Sequence, residues 1–381
     1  MDFSLSEEHQ MFQTLVRDFA TREIEPNAAR IDEDEEFPAE NVRKMAEMGL
    51  FGLTIDEKYG GSGGSAIQLA IATEEIARAC AATSTVYLAS LSLGCHPIYN
   101  HSTEEQKMRF MPPLARGQKL AAFALTETAA GSDAAAVQTM AQRRDNGYVL
   151  NGNKIFISNG AEADNIVVFA TVDRSLGHRG IAAFVVEKEA PGFSVAKKER
   201  KMGIRGSSTA ELVFDNCFVP ADQVLEEEGK GFRIAMDAID ASRVSVAGQA
   251  VGIARACLEA SLRYAKERKQ FGQAIVEFQA LQWMLADMAT GIDAARLLTF
   301  RAAYLKDQKL PYLKEVAMAK VFASEVAMQS AIKAVQIHGG YGYIKDYPVE
   351  RYMRDAKITE IYEGTSEMQR MTIIRQLLRE G

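Results

Sequence analysis

A chain of 381 residues, 47% apolar and 25% charged, has the composition of a soluble globular protein and enough length to bury the cores of two or three domains. Its formal net charge of −7 argues against nucleic-acid or anionic-membrane binding, since either needs a surplus of Lys and Arg on one face. The four cysteines, Cys80, Cys95, Cys217 and Cys257, lie far apart without a CxxC pair, so neither a zinc site nor a disulfide framework is expected; they read as buried thiols of a reducing compartment.

The opening MDFSLSEEHQ lacks the basic and apolar regions of a signal peptide, and the longest apolar runs, IVVFATV and IAAFVV, are too short to span a bilayer. A cytoplasmic location without a membrane span is expected. Residues 1–118 read as an all-α domain. Ser4 with Glu7, and Ser102 with Glu105, have capping-box spacing, and Phe12, Leu15, Val16 and Phe19 form an apolar stripe. The GGSGGS run at 60–65 formally fits a dinucleotide fingerprint, but its flanks are helical and no second strand follows. A flexible turn is predicted there.

Over residues 119–225 the hydrophobic period changes to two. In GYVL-NG-NKIFI the Asn151-Gly152 pair predicts a type I′ hairpin turn, and NIVVFATV, IAAFVVEK, FSVAKK and AELVFDNCFVP read as further strands. Without helical crossovers the expected middle domain is an antiparallel β-barrel or sandwich. Over residues 226–381 helical periodicity returns, near 231–268, 275–306, 311–338, 348–360 and 365–379, as in a helical bundle. The fold class expected is α+β multidomain: helices, sheet, helices.

Near the end, IYEGTSEMQR sets Glu363 directly before Gly364 and two hydroxyl residues. Ser366 and Gln369 have capping-box spacing, and Met371, Ile374, Leu377 and Leu378 recur at helical intervals, so a terminal helix begins near Thr365. On local grounds Glu363 either complements the positive end of that helix or serves as a base.

This layout, with LTE at Leu125-Thr126-Glu127 leading to Gly131-Ser132-Asp133, KMGIRGS from Lys201, ERKQFG from Glu267, QIHGGYG from Gln336 and the IYEGTS segment, resembles the acyl-CoA dehydrogenase family from end to end. The resemblance implies a flavoenzyme that removes two hydrogens across the α and β carbons of an acyl-CoA, using FAD and passing electrons to an electron-transfer flavoprotein. A base must take the weakly acidic α proton, and Glu363 looks like that base, its pKa raised by burial. By resemblance its amide helps hold the thioester oxygen, with Gly364 allowing close approach. Relatives such as isovaleryl-CoA dehydrogenase carry the base on a helix, directly before the arginine matching Arg243. Ser242 stands there in this chain, and serine cannot be the carboxylate base.

The resemblance also places Phe123, Leu125, Thr126, Ser132, Phe156 and Ser158 against the flavin, with Thr365 and Glu367 as further cofactor contacts. It assigns Arg268, Phe271, Gln279, Gln336 and Gly340 to the FAD of a neighbouring subunit, hence a homo-oligomer, usually a tetramer. Ser132, Asp240, Arg243 and Gly364 are the substrate contacts. On spacing alone, Asp240 and Arg243 also fit an intrahelical ion pair, and His338-Gly339-Gly340 a glycine-capped helix end. His338 lacks a second ligand at metal-site spacing. Thr128-Ala129 replaces the family's usual Pro-Gly, and Phe156 its usual Trp. The basic run from Lys197 to Arg205 is left out of the site. An oxidase using O₂ and a flavin-free acyl-CoA-binding protein are the alternative readings.

Overall fold

In the computed structural model, which describes residues 4–380, seven helices come first: α1 (Glu7–Phe19), α2 (Ala28–Glu33), α3 (Ala39–Glu47), α4 (Ala66–Ala79), α5 (Ala81–Leu88), α6 (Cys95–His101) and α7 (Glu104–Ala115). Two of their starts differ from the expected caps. The hydroxyl of Ser6, not Ser4, accepts from His9 N at 3.3 Å. Thr103 and Gln106, not Ser102 and Glu105, form the reciprocal capping box of α7. Several hydroxyls satisfy the spacing, and the cap is the one left in extended backbone with its oxygen facing the N–H three residues on.

The GGSGGS run is not loose. Ser62, Gly63 and Gly64 donate backbone bonds to Gly52, Ile55 and Leu53 at 3.0, 2.8 and 2.6 Å. A Cβ on Gly61 would lie 2.1 Å from the Ile55 carbonyl oxygen, so these glycines serve close backbone approach rather than flexibility. Ser65 and Gln68 then cap α4 reciprocally.

The middle block holds β1 (Ala121–Ala124), β2 (Met140–Arg144), β3 (Gly147–Ser158), β4 (Asn165–Thr171), β5 (Ile181–Glu187), β6 (Phe193–Lys198), β7 (Thr209–Pro220) and β8 (Val224–Leu225). They form one sheet in the order β6-β7-β3-β2-β4-β5-β8, with β1 paired to β4. Pairing is antiparallel except for β1 and β2 against β4. The sheet curls until Tyr148 on β3 meets Phe184 on β5, ring centroids 5.1 Å apart. It thereby encloses its own core, while Val167, Phe169 and Val185 on the opposite face join the helical core.

Asn151-Gly152 is not the hairpin turn. Register pairs Arg144 with Gly147, so Asp145-Asn146 turns the chain between β2 and β3. Asn151-Gly152 instead lies inside β3 at a bulge against β7, where the Asn151 side chain accepts from Asn216 N at 2.9 Å. Two Asn-Gly pairs stand five residues apart, and only the pairing partner β7 decides which one is carried through the strand.

The last block is α8 (Gly231–Glu267), a short hairpin of β9 (Lys269–Gln270) and β10 (Gln273–Ala274), then α9 (Gln279–Asp307), α10 (Leu313–His338), α11 (Val349–Thr359) and α12 (Ser366–Glu380). Charges inside the helical layers are paired, as burial requires. Glu74 and Glu75 on α4 are 1% and 0% exposed. Arg255 on α8 bonds both, at 2.6 and 2.8 Å; Arg296 on α9 adds a bond to Glu74 and Arg17 on α1 one to Glu75.

The KMGIRGS segment joins three parts of the chain. Arg205 pairs with Glu35, Ile204 N donates to Asp355 on α11, and Arg354 reaches both Asp32 and the Met202 carbonyl. All four cysteines are free and buried. Among the described residues, no helix is long and apolar enough to cross a membrane.

Candidate active site

Glu363 sits in the turn between α11 and α12 with φ of 52°, followed by Gly364 at 91°. Two successive left-handed residues are rare and are sustained only where surrounding contacts fix them. Those contacts are present. Arg243 Nε approaches the Glu363 carbonyl at 3.4 Å, Gln369 Nε2 bonds the Glu363 and Gly364 carbonyls at 3.3 and 2.9 Å, and Lys320 Nζ bonds the Gly364 carbonyl at 2.8 Å. A Cβ on Gly364 would lie 2.8 Å from Gln369 Nε2, so glycine is required there on both counts.

The Glu363 side chain has two unlike oxygens. Oε2 takes a short hydrogen bond from the Ser242 hydroxyl on α8. Oε1 is shut off from solvent and has no hydrogen-bond partner. Although the residue as a whole keeps some exposed surface, the carboxyl group is desolvated, and burial pushes its pKa up to about 7. The Ser242 hydroxyl and then the charges of Lys320 and Arg243 pull it back. The Glu363 amide has no acceptor among the described residues. A carboxylate with one free oxygen, beside an unpaired N–H, can take a proton while the N–H donates to an oxygen on which negative charge develops.

Asp240 and Arg243 lie one turn apart on α8 and make the intrahelical pair, Nη1 to Oδ1 2.6 Å, with Arg243 turned toward the Glu363 loop. Thr365 caps α12, its hydroxyl accepting from Met368 N at 3.4 Å, so the cap lies one residue before the expected Ser366. Glu367 is exposed in the first turn of that helix.

The sheet-side residues gather at the ends of β1 and β3. Phe123 packs on Phe169 at 4.8 Å between ring centroids, and Thr126 accepts through its carbonyl from Ile155 N at 2.9 Å. Phe156, next along β3, has φ of 58° at a register shift and is 61% exposed. Leu125 is buried, Ser158 is half-buried, and Ser132 is exposed in the loop before β2. A buried pair that sequence reasoning missed fixes this corner: Lys154, 0% exposed, bonds the Leu125 carbonyl at 2.9 Å and Glu127 at 2.6 Å. Glu127 also accepts from Gln138 N and Thr139 N.

A third set lies elsewhere. Arg268, Phe271, Gln336 and Gly340 line a cleft of about 630 Å³, and Gln279 opens α9 directly after Phe278 on its wall. Phe271 is 94% exposed. Arg268 stacks at 5.5 Å over Tyr341 and has no carboxylate partner among the described residues. His338 ends α10 before Gly339 at φ 60°, its ring stacked on Tyr264 at 4.3 Å. None of these residues hydrogen-bonds to Glu363, whose side chain and carbonyl are held by Ser242, Arg243 and Gln369. The excluded basic run is occupied structurally: Lys198 pairs with Glu162 and Lys201 bonds the Ser207 carbonyl.

Lys320 was also missed. A signal existed, because Val316, Ala317, Lys320, Ala323, Ser324 and Ala327 fall at helical spacing and put a lysine on the buried face of α10.

Residues 6–118, 122–217 and 229–378 match the N-terminal, middle and C-terminal domains of the family described as acyl-CoA dehydrogenase. The chain belongs to the acyl-CoA dehydrogenase family. It is 50% identical over 379 residues to "Acyl-CoA dehydrogenase, short-chain specific" of Clostridium acetobutylicum, covering 100% of both chains. Among solved structures it is similar to butyryl-CoA dehydrogenase from Megasphaera elsdenii, with 46% identity, a TM-score of 0.97 and full coverage of both chains. A chain from the structural work on the electron transferring flavoprotein of Acidaminococcus fermentans gives 49% identity and a TM-score of 0.98, again with full coverage of both.

Proposed function

We propose that the protein is an FAD-dependent dehydrogenase of short-chain acyl-CoA thioesters, yielding the 2-enoyl-CoA and passing electrons to an electron-transfer flavoprotein. The observation that carries this reading is the desolvated Oε1 of Glu363, unpartnered beside the free Glu363 amide. The family supplies the reaction class and FAD. The butyryl-CoA and short-chain relatives supply the chain length, and the Acidaminococcus likeness the electron acceptor.

The residues present fit a flavin. Phe156 offers an exposed apolar ring at a bulge locked to Thr126 through Ile155, which suits stacking on an aromatic system. Phe123, Leu125, Thr126, Ser132, Ser158, Thr365 and Glu367 would line it. Arg268, with Phe271, Gln279, Gln336 and Gly340, would grip the pyrophosphate of a neighbouring subunit's FAD, since a guanidinium without a carboxylate partner matches phosphate bidentately. On this reading the protein is a homo-oligomer, a tetramer, and its four free, buried thiols suit the reducing cytoplasm.

When bound, FAD supplies the hydride acceptor for the β carbon. Glu363 takes the α proton at Oε1, and its amide N–H donates to the thioester oxygen as negative charge develops there. Asp240 and Arg243 hold the CoA portion at the mouth of the same turn, and Gly364 lets the thioester approach the backbone. The test is an anaerobic screen in which the yellow holoprotein is mixed with thioesters from acetyl-CoA to palmitoyl-CoA. Butyryl-CoA is expected to bleach the flavin fastest. Bleaching by none of them would overturn the reading, and one peroxide released per turnover in air would move it to an oxidase.

A further inference from the structure

Ser242 is fully buried, and its hydroxyl has two acceptors in reach: the Ile239 carbonyl one turn back at 2.9 Å, and Oε2 of Glu363. A hydroxyl carries one proton, so it can serve only one of them at a time. A charged acceptor binds it about twice as strongly as a neutral one. The proton therefore points to Oε2 while Glu363 is ionised, and is free to return to the helix carbonyl once Glu363 is neutral.

The remaining charges around the carboxyl do not touch it through a side-chain hydrogen bond. Lys320 from α10 is tied to the Gly364 carbonyl, and Arg243 from α8 to Asp240 and the Glu363 carbonyl. From α12, the neutral Gln369 reaches only backbone carbonyls. Tyr362, the neighbour in the turn, points its hydroxyl to Gln249. Among the described residues, Ser242 is the one side chain that hydrogen-bonds the carboxyl and so distinguishes its two oxygens.

We propose that Ser242 is a positioning residue for the base: it anchors Oε2 of Glu363, so that Oε1 alone takes the α proton, and it favours the ionised carboxylate against the cost of burial. The inference rests on the reading of Glu363 as the base. In the transfer, the Cα–H bond breaks, its proton passes to Oε1, and the electron pair remains on the substrate; Oε2 holds its bond from Ser242 until Glu363 is neutral, when the hydroxyl is free to return to the Ile239 carbonyl.

The test is the pH profile of anaerobic flavin reduction by butyryl-CoA in the holoenzyme, for the wild type, Ser242→Ala, Ser242→Thr and Glu363→Gln. The alanine variant is expected to shift the apparent pKa of reduction up by about one unit. Its rate falls roughly fivefold to tenfold near neutrality and approaches wild type about two units higher. Threonine restores the profile. Should the alanine variant not retain FAD, Ser242→Cys, a weak donor of similar size, gives a smaller shift in the same direction. An unshifted profile, or a loss by the same factor at every pH, overturns the role of Ser242. If Glu363→Gln is inert and the Ser242 profile does not move, this inference alone fails; if Glu363→Gln reduces normally, the assignment of the base fails instead.

Discussion

The ammonium of Lys320 donates to the Gly364 carbonyl across 2.8 Å, tying the turn that carries Glu363 to a buried position on α10. Burial lowers the Lys320 pKa to about 8, with the Glu363 charge opposing the shift. Its own charge favours ionised Glu363 in return. Lys320→Met removes that charge and one of two bonds to the Gly364 carbonyl, while Gln369 keeps the other. The expected result is kcat/KM reduced about tenfold near neutrality with the acid limb moved up, and stability within about 1 kcal/mol of wild type. A denaturant melt and a pH–rate profile separate the two.

On the proposed reading, Glu363, its pKa pushed up to about 7, takes the α proton only when ionised. Reduction by acyl-CoA should therefore rise with pH and level off above neutrality, being about tenfold slower one unit below that pKa. The stability linkage has the opposite sign. A carboxyl raised in the folded state contributes stability that is present below its ordinary pKa of 4.5 and lost as pH rises through about 7. Glu363→Gln should flatten that part of a stability-versus-pH curve, measured by thermal melts.

Asp355 behaves likewise at the junction of α11 with the KMGIRGS segment. Burial pushes its carboxyl up to about 6, opposed by the bond from Ile204 N and by the nearby arginines. Its contribution is present below the ordinary value of 3.8 and lost as pH rises through about 6. Asp355→Asn keeps an acceptor for Ile204 N and removes the buried charge. Its melting temperature should match or exceed wild type on the alkaline side, and a lower one would contradict the account.

Lys154→Met leaves Glu127 buried, at 7% exposure, without its cation. Stranding such a charge costs about 3–5 kcal/mol. Because Lys154 also holds the Leu125 carbonyl, FAD retention on gel filtration should fall with stability. Adding Glu127→Gln removes the stranded charge and should recover part of the stability.

The sequence made the helices-sheet-helices order legible because hydrophobic period is a property of long segments, and α8 to α12 fall close to where periodicity put them. It failed where one or two residues decide. Ser6, Thr103 and Thr365 cap helices beside equally suitable neighbours, and the Asn151-Gly152 pair is carried into β3 by pairing with β7, a partner far along the chain. The motif singles out Glu363 in the sequence as a candidate, and Ser242 stands out there only as a residue that cannot be a carboxylate base. That Ser242 bonds Glu363, that Lys320 pins Gly364, and that Lys154 bonds Glu127 and the Leu125 carbonyl depend on contacts between segments 27 to 121 residues apart, which no local pattern encodes.

The most direct measurement is single-turnover reduction of the enzyme flavin by butyryl-CoA in Glu363→Gln, compared with wild type under anaerobic conditions at about one pH unit above neutrality, with thioester binding followed separately. Binding within about threefold of wild type and reduction slower by about a thousandfold or more is the predicted result. Reduction within about tenfold of wild type would contradict the assignment of the α proton to this carboxylate.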